Sequence, residues 1–168
     1  TTSRDITTEA EANLAAITYH FGSKDELVAE ALLAGLREWL DPALVALAEA
    51  DDPATGMLTA VQTLLTTFEA HRDDAPAQLE ALVQAPRLPA LHDGVLTLWA
   101  ELRDRLAKQL SDMRAAGLLP DWIDPAPMAA LLVAVANGVV LQATVDPDGI
   151  PVDAMAAQFA GLLLAVRP

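Results

Sequence analysis

A short N-terminal stretch carries side chains suited to contact with a polar or anionic partner. Asn13 and Thr18 offer an amide and a hydroxyl, which hydrogen-bond to base edges or phosphate oxygens. Ala15 and Ala16 between them are small enough to allow close approach, and their methyl groups suit contact with a thymine methyl. Lys24 lies in the first turn of a predicted helix, where its charge adds to the helix dipole in attracting a phosphate.

The overall charge opposes a nucleic-acid partner. The chain has a formal net charge of −14, whereas affinity for DNA rests largely on Lys and Arg neutralising phosphates. Even residues 1–27 hold two basic side chains against five acidic ones, a local charge of −3. Any nucleic-acid interpretation therefore depends on a specific local pattern rather than on composition.

Several other chemistries are disfavoured. The chain has no cysteine, which excludes disulfides, thiolate zinc sites and cysteine nucleophiles, and nothing indicates an oxidising compartment. His20, His71 and His92 do not stand at a metal-binding spacing, and there is no nucleophile motif or glycine-rich phosphate loop. We therefore predict no enzymatic activity, no metal, no cofactor and a cytoplasmic location.

The elements that position these residues are predicted to be helices throughout. Apolar residues make up 53% of the chain and aromatics only 4%, so alanine and leucine, both good helix formers, supply most of the core. A short helix is predicted over Ser3–Ala10, with Thr2 or Ser3 as its cap, followed by a turn at 11–13. A second helix then buries the stripe Leu14, Ile17 and Phe21.

Capping residues and prolines mark the later helices. Ser23 and Glu26 form a capping box that opens a helix, which we predict to end at Asp41-Pro42. Five further helices are predicted. The first starts at Pro53, and the second runs from Pro76 to Gln84. The third carries the stripe Leu91 to Met113 and ends at Gly117, the fourth starts at Asp124-Pro125, and the fifth spans Val152–Val166.

One stretch, 126–145, is uncharged over roughly the length that crosses a bilayer. It contains Pro127, Asn137, Gly138 and Gln142, and its flanks are acidic rather than basic. We therefore predict no membrane partner and interpret it as a helix at an interface between two chains. The alternative is a core helix within one chain.

The run Ile17–Leu27, ITYHFGSKDEL, together with the residues from Arg4 onward, closely resembles the second and third DNA-binding helices and the start of the fourth helix of the TetR family. The segments 121–125, 136–143 and 146–148 resemble the family's ligand-binding and dimerisation part. The resemblance implies an all-α regulator with a partial helix-turn-helix domain and connecting helix over 1–40. An effector-binding and dimerisation domain would follow over 41–168. The family's first helix would lie upstream of Thr1.

The resemblance also implies partners and sites. A homodimer, paired through its last two helices, would bind a palindromic double-stranded DNA operator as a repressor and release it on binding a small-molecule effector. The implied DNA-contacting residues are Thr2, Arg4, Asn13, Ala15, Ala16, Thr18, Tyr19, His20 and Lys24. The predicted effector-pocket residues are Met57, Val61, Leu64, Phe68, Leu96, Trp99, Arg103 and Asn137, for each of which core packing is the alternative role.

Two departures from the family pattern support a rival function. Glu11 stands in the turn where the family usually has glycine, and a side chain there is expected to be strained. Residues 1–27 are also acidic. The rival is a helical dimer that binds a small molecule or a protein and has lost operator recognition. Because the residues from Thr1 onward are acidic and the family's first helix would lie upstream, we expect residues 1–168 alone to bind DNA poorly or not at all.

Overall fold

The computed structural model describes residues 2–151, 154, 155, 157, 158 and 161, and this part of the chain is helical without strands. The helices are α1 (Ser3–Glu9), α2 (Leu14–Phe21), α3 (Lys24–Glu49), α4 (Pro53–Ala70), α5 (Ala75–Gln84), α6 (Pro89–Ala115) and α7 (Pro125–Val145). We call α1 and α2 the N-terminal unit and α3 to α7 the body. The helix predicted over Val152–Val166, and with it the pairing of the last two helices, lies largely outside the described residues.

Capping side chains start the helices where the sequence predicts. Thr2 caps α1, in a reciprocal box with Asp5. The Ser23 half of the predicted box at α3 also forms, since its Oγ accepts a hydrogen bond from the Glu26 N–H at 3.1 Å. Asp52 and Asp124 cap α4 and α7, each followed by a proline that needs no hydrogen-bond acceptor in the first turn.

The predicted end of α3 at Asp41-Pro42 is wrong, because the helix continues through Pro42 to Glu49. Proline cannot donate to the carbonyl four residues earlier, which normally breaks a helix. Here the residues after it, Ala43, Leu44 and Leu47, are all buried. Their packing stabilises the continued helix, so α3 extends from the N-terminal unit deep into the body.

The long helix α6 forms the centre of the body, and the predicted stripe is its buried face. Leu91, Leu98, Leu110 and Met113 are the largest fully buried side chains among the described residues. The helix ends as predicted near Gly117, which has a φ of +70° that glycine adopts without strain.

Polar contacts hold α3 against α6. Arg105 donates to the Leu44 carbonyl at 3.2 Å and pairs with Glu101 at 2.9 Å. Arg37 of α3 lies 3.7 Å from the same Glu101 carboxylate. These side chains are partly exposed, so their main effect is to fix the relative position of the two helices rather than to add much stability.

Helix α7 has two different faces. Ala129, Val133 and Ala143 are buried against the body, whereas Leu131 and Val145 on the other side are 57% and 76% exposed. By length and composition α7 would also pass as a membrane span, which is weak evidence for a single helix. The uncharged stretch is therefore a helix that packs on one side and leaves an apolar outer face.

Candidate nucleic-acid interface and ligand cavity

The N-terminal unit is a tight pair of helices. Glu11 in the connecting turn has a φ of +50°, the left-handed region that disfavours a side chain, as the sequence predicts. The turn is closed by the Ala12 N–H, which donates to the Thr7 carbonyl at 2.8 Å. The chain therefore adopts the glycine-type turn despite the glutamate.

Helix α2 separates an inner from an outer side. Ile17 is buried and Phe21 is half-buried, but Leu14, predicted to share their stripe, is 45% exposed. Leu14 is the first residue of the helix. On the outer side, Thr18 and Tyr19 follow Ala15 by three and four residues and so share a face.

Most of the predicted DNA-contacting side chains lie on the surface. Ala16 and Lys24 are half-buried, and the exposed ones are Thr2, Arg4, Asn13, Ala15, Thr18, Tyr19 and His20. Tyr19 is 84% exposed and meets the His20 ring edge-on at 4.8 Å between centroids. A phenol held this far into solvent presents its ring and hydroxyl to a partner rather than to the core.

Thr2 and Asn13 have structural roles that the sequence prediction did not separate from contact with DNA. The Thr2 hydroxyl accepts from the Asp5 N–H at 3.2 Å, and Asn13 Oδ1 accepts from the Ala15 N–H at 2.9 Å. The Thr2 N–H in turn donates to the Asp5 carboxylate at 2.6 Å and lowers the pKa of Asp5. An ionised carboxylate is thus fixed beside Arg4, where it weakens the local positive field.

The body contains a partly open cavity of about 150 Å³. All five body helices contribute to its wall, which is formed mainly by leucine, valine, alanine and tryptophan side chains. Trp39 of α3 is buried and supported from behind by Phe68, whose ring meets it edge-on at 5.9 Å. The size and apolar wall suit a small, mostly apolar molecule.

The structure brings most of the predicted pocket residues to this cavity, namely Met57, Val61, Leu64, Trp99 and Asn137. It does not bring Phe68, Leu96 or Arg103 there. Phe68 lies behind Trp39, and Leu96 is 47% exposed. Arg103 remains partly exposed, in keeping with the cost of burying an unpaired guanidinium.

Sequence reasoning missed two of the cavity's more distinctive residues, Trp39 and Gln78. Trp39 stands on the apolar stripe of the helix that Ser23 opens, and nothing in that stripe separates a cavity residue from ordinary packing. Gln78 follows Ala75 by three residues and precedes Leu82 by four, so it lies on the inner stripe of α5. A lone amide on an otherwise apolar stripe was the available signal.

Models of known families match both parts of the chain. One for bacterial regulatory proteins of the tetR family matches residues 1–31, and one for the C-terminal part of BetI-type transcriptional repressors matches residues 53–167. The chain belongs to the TetR family of transcriptional regulators. It is accordingly a DNA-binding regulator with a helix-turn-helix module and not an enzyme.

Solved structures of transcriptional regulators share this fold. A putative transcriptional regulator from Saccharomonospora viridis, in complex with choline, superposes with a TM-score of 0.79 at 23% identity, over 98% of this chain and 85% of that one. PfmR from Thermus thermophilus gives 0.73 at 21%, over 98% and 88%. A regulator from Rhodococcus sp. Rha1 gives 0.73 at 25%, over 99% and 84%. A search of curated proteins gives no match.

Proposed function

We propose that this TetR-family regulator is a homodimeric, cytoplasmic repressor that binds a palindromic operator and releases it when a small molecule enters the body. The observation that carries the proposal concerns one helix, α3. It follows α2, whose outer face is exposed, after the short link Gly22-Ser23, and it also lines the cavity. Residues 1–40 then form the DNA-binding part with the start of α3, and residues 41–168 the effector-binding and dimerising part.

The DNA-binding part of the proposal rests on α2. Its outer face carries Ala15, Thr18 and Tyr19, a combination of small, hydroxyl and aromatic groups that suits the floor and edges of a major groove. Arg4 at the start of α1 and Lys24 at the start of α3 flank this face and suit phosphates on either side.

Dimerisation is supported by the outer face of α7. Leu131, Val135 and Val145 are exposed and share this face with Gly138, where an added Cβ would meet no atom within 4 Å. Their spacings of four, three and seven residues repeat on one side of a helix. A second copy of the same face would cover these side chains and supply the two-fold symmetry of a palindromic site.

Release by a ligand is supported by the packing of α3. Leu36, Trp39 and Ala43 of this helix line the cavity, so a molecule that enters it presses on α3 directly. A small rotation of α3 moves α2, which it follows after Gly22 and Ser23. Ligand binding would then favour a dimer whose two α2 helices no longer match the groove spacing.

Selection of operators from random double-stranded DNA by the full-length protein, across a salt series, tests the DNA-binding proposal. We expect an enriched palindrome whose affinity falls steeply with salt, because phosphate contacts release counterions. Tyr19→Ala should weaken binding about tenfold or more, in the range of a lost base or backbone contact. Trp122→Ala removes an aromatic side chain that is 71% exposed in the body and should leave binding unchanged.

The rival function makes the opposite prediction for the same selection. The left-handed Glu11 and the fixed Asp5 carboxylate favour a sensor that no longer recognises an operator. If no palindrome is enriched while the protein still dimerises and binds a ligand, the repressor proposal is wrong and the rival is supported.

Dimerisation is tested by light scattering on paired variants. Val135→Lys places a charge on the outer face of α7 and should give monomers, because an unpaired charge is costly to bury at an interface. Val83→Lys changes a valine that is 62% exposed on α5 and should leave the dimer intact. If the Val135→Lys variant still forms dimers, the interface does not lie on the outer face of α7.

A further inference from the structure

Gln78 of α5 is a buried polar residue in the cavity wall. Its side chain lines the cavity, and the residue is 9% exposed. Its Oε1 is buried without a hydrogen-bond partner among the described residues. Buried acceptors are nearly always paired, since leaving one unpaired loses the solvation that water would provide. The arrangement therefore calls for a donor at this point of the cavity wall.

The rest of the wall limits what that donor can belong to. The lining contains no Asp, Glu, Lys or Arg among the described residues, and its other polar groups are the Asn137 amide and the indole N–H groups of Trp39 and Trp99. A charged ligand would lose its hydration there without gaining a counter-charge. A neutral, mostly apolar molecule with one hydroxyl or amide N–H meets both the wall and Gln78.

We propose that the effector is a neutral, mostly apolar molecule whose hydroxyl or N–H donates a hydrogen bond to Gln78 Oε1. The inference rests on the proposed role of the cavity as the effector site and narrows it to a class of ligand. It assigns Gln78 as the residue that distinguishes a donor-bearing ligand from an equally apolar one without a donor.

Gln78 also lies where it can report the ligand to the DNA-binding part. Its amide packs on Gly35 of α3 so closely that a Cβ at Gly35 would collide with Gln78 Nε2. Oε1 of the same amide also lies 3.4 Å from the Cβ position of Gly35, so the whole amide group packs beside α3. To accept a hydrogen bond from a ligand in the cavity, the amide has to turn Oε1 away from Gly35 toward the cavity that Gln78 lines. A ligand that pulls on Oε1 changes a contact with the helix that follows α2.

Four probes with an eight-carbon chain separate the ligand classes: 1-octanol, octyl methyl ether, octanoate and octyltrimethylammonium. Binding is measured by calorimetry and by tryptophan fluorescence in a Trp122→Phe background, where Trp39 and Trp99 at the cavity remain as reporters. We expect octanol to bind about tenfold more tightly than the ether, the value of one net hydrogen bond. Both charged probes should bind more weakly than octanol.

Variants at and beside Gln78 test its role. Gln78→Leu removes the acceptor at similar size, so octanol and the ether should bind equally. Gln78→Met serves the same purpose if the leucine variant does not fold. Gln84→Leu makes the same change on α5 outside the cavity wall and should keep the tenfold preference. Gly35→Ala displaces the amide without entering the cavity wall and should reduce the preference.

The outcomes are distinguishable. Equal binding of octanol and ether by the parent protein, or a preference that survives both Gln78 variants, overturns the role of Gln78. Tightest binding of octyltrimethylammonium, drawn by the faces of Trp39 and Trp99, or of octanoate overturns the neutral-ligand class but leaves the cavity as a ligand site. If none of the four probes binds, the proposed effector site itself fails.

Discussion

The N-terminal unit and the body use side chains in opposite ways. In α2 only Ile17 is buried, and the residues proposed to act are the ones left in water. In the body the residues proposed to act face inward, around a cavity walled by all five helices. The comparison indicates how surface chemistry in one region and an internal cavity in the other can be linked by a single element, α3, which starts beside α2 and lines the cavity.

The largest effect expected from this difference is on stability. Leu110→Ala empties space at a fully buried position of α6 and should lower the free energy of unfolding by about 2–5 kcal/mol. Leu14→Ala makes the same change where the side chain is 45% exposed, and should cost about 1 kcal/mol or less. Urea unfolding measures both. Similar losses at the two positions would mean that the N-terminal unit is packed as tightly as the body.

The proline in α3 offers a sharper test of the link between the regions. Pro42→Ala restores an N–H that can donate to the carbonyl of Glu38, and should raise the free energy of unfolding by about 1–3 kcal/mol. Pro89→Ala is the matched control, since a proline in the first turn of α6 costs no helical hydrogen bond. Thermal unfolding gives both values. A destabilised Pro42→Ala variant would show that the body requires the proline's bend.

Glycine in the turn of the N-terminal unit should stabilise the protein, because it relieves backbone strain. Glu11→Gly removes a side chain from a residue with a φ of +50° and should stabilise the protein by up to about 1 kcal/mol. The same substitution at Glu30, an exposed residue inside α3, should destabilise it, because glycine is a poor helix former. Removing the Glu11 charge should also strengthen DNA binding. A loss of stability in Glu11→Gly would contradict the strain inferred for this turn.

The smallest expected effect is on the free energy of unfolding at acidic pH. The Thr55 hydroxyl and N–H lower the pKa of the Asp52 carboxyl below its ordinary value of 3.8. The stability it adds is therefore complete above that value and is lost as the pH falls through the lower, folded-state pKa. Asp52→Asn keeps the cap, so its unfolding free energy should fall less steeply below about pH 4. Asp51→Asn is the control for loss of one carboxylate, and equal slopes in the two variants would exclude the cap as the cause.

Local chemistry explains why the helix starts were predictable. Thr2, Asn13, Ser23 and Asp52 each bond to a backbone N–H two or three residues later, so a short window of sequence contains the whole interaction. The end of α6 near Gly117 is equally local, because it depends on the backbone freedom of one residue. The motif from Ile17 to Leu27 was likewise sufficient to indicate the family.

What only the tertiary structure decided depends on contacts between distant residues. Pro42 breaks a helix by local rules, yet α3 continues because Leu44 and Leu47 are buried among other helices. The orphan oxygen of Gln78 and its contact with Gly35 arise from the packing of α5 on α3, which no spacing within either helix reveals. Sequence thus determined the elements and the outward chemistry of α2, whereas the cavity is a volume left between five helices and exists only once they pack.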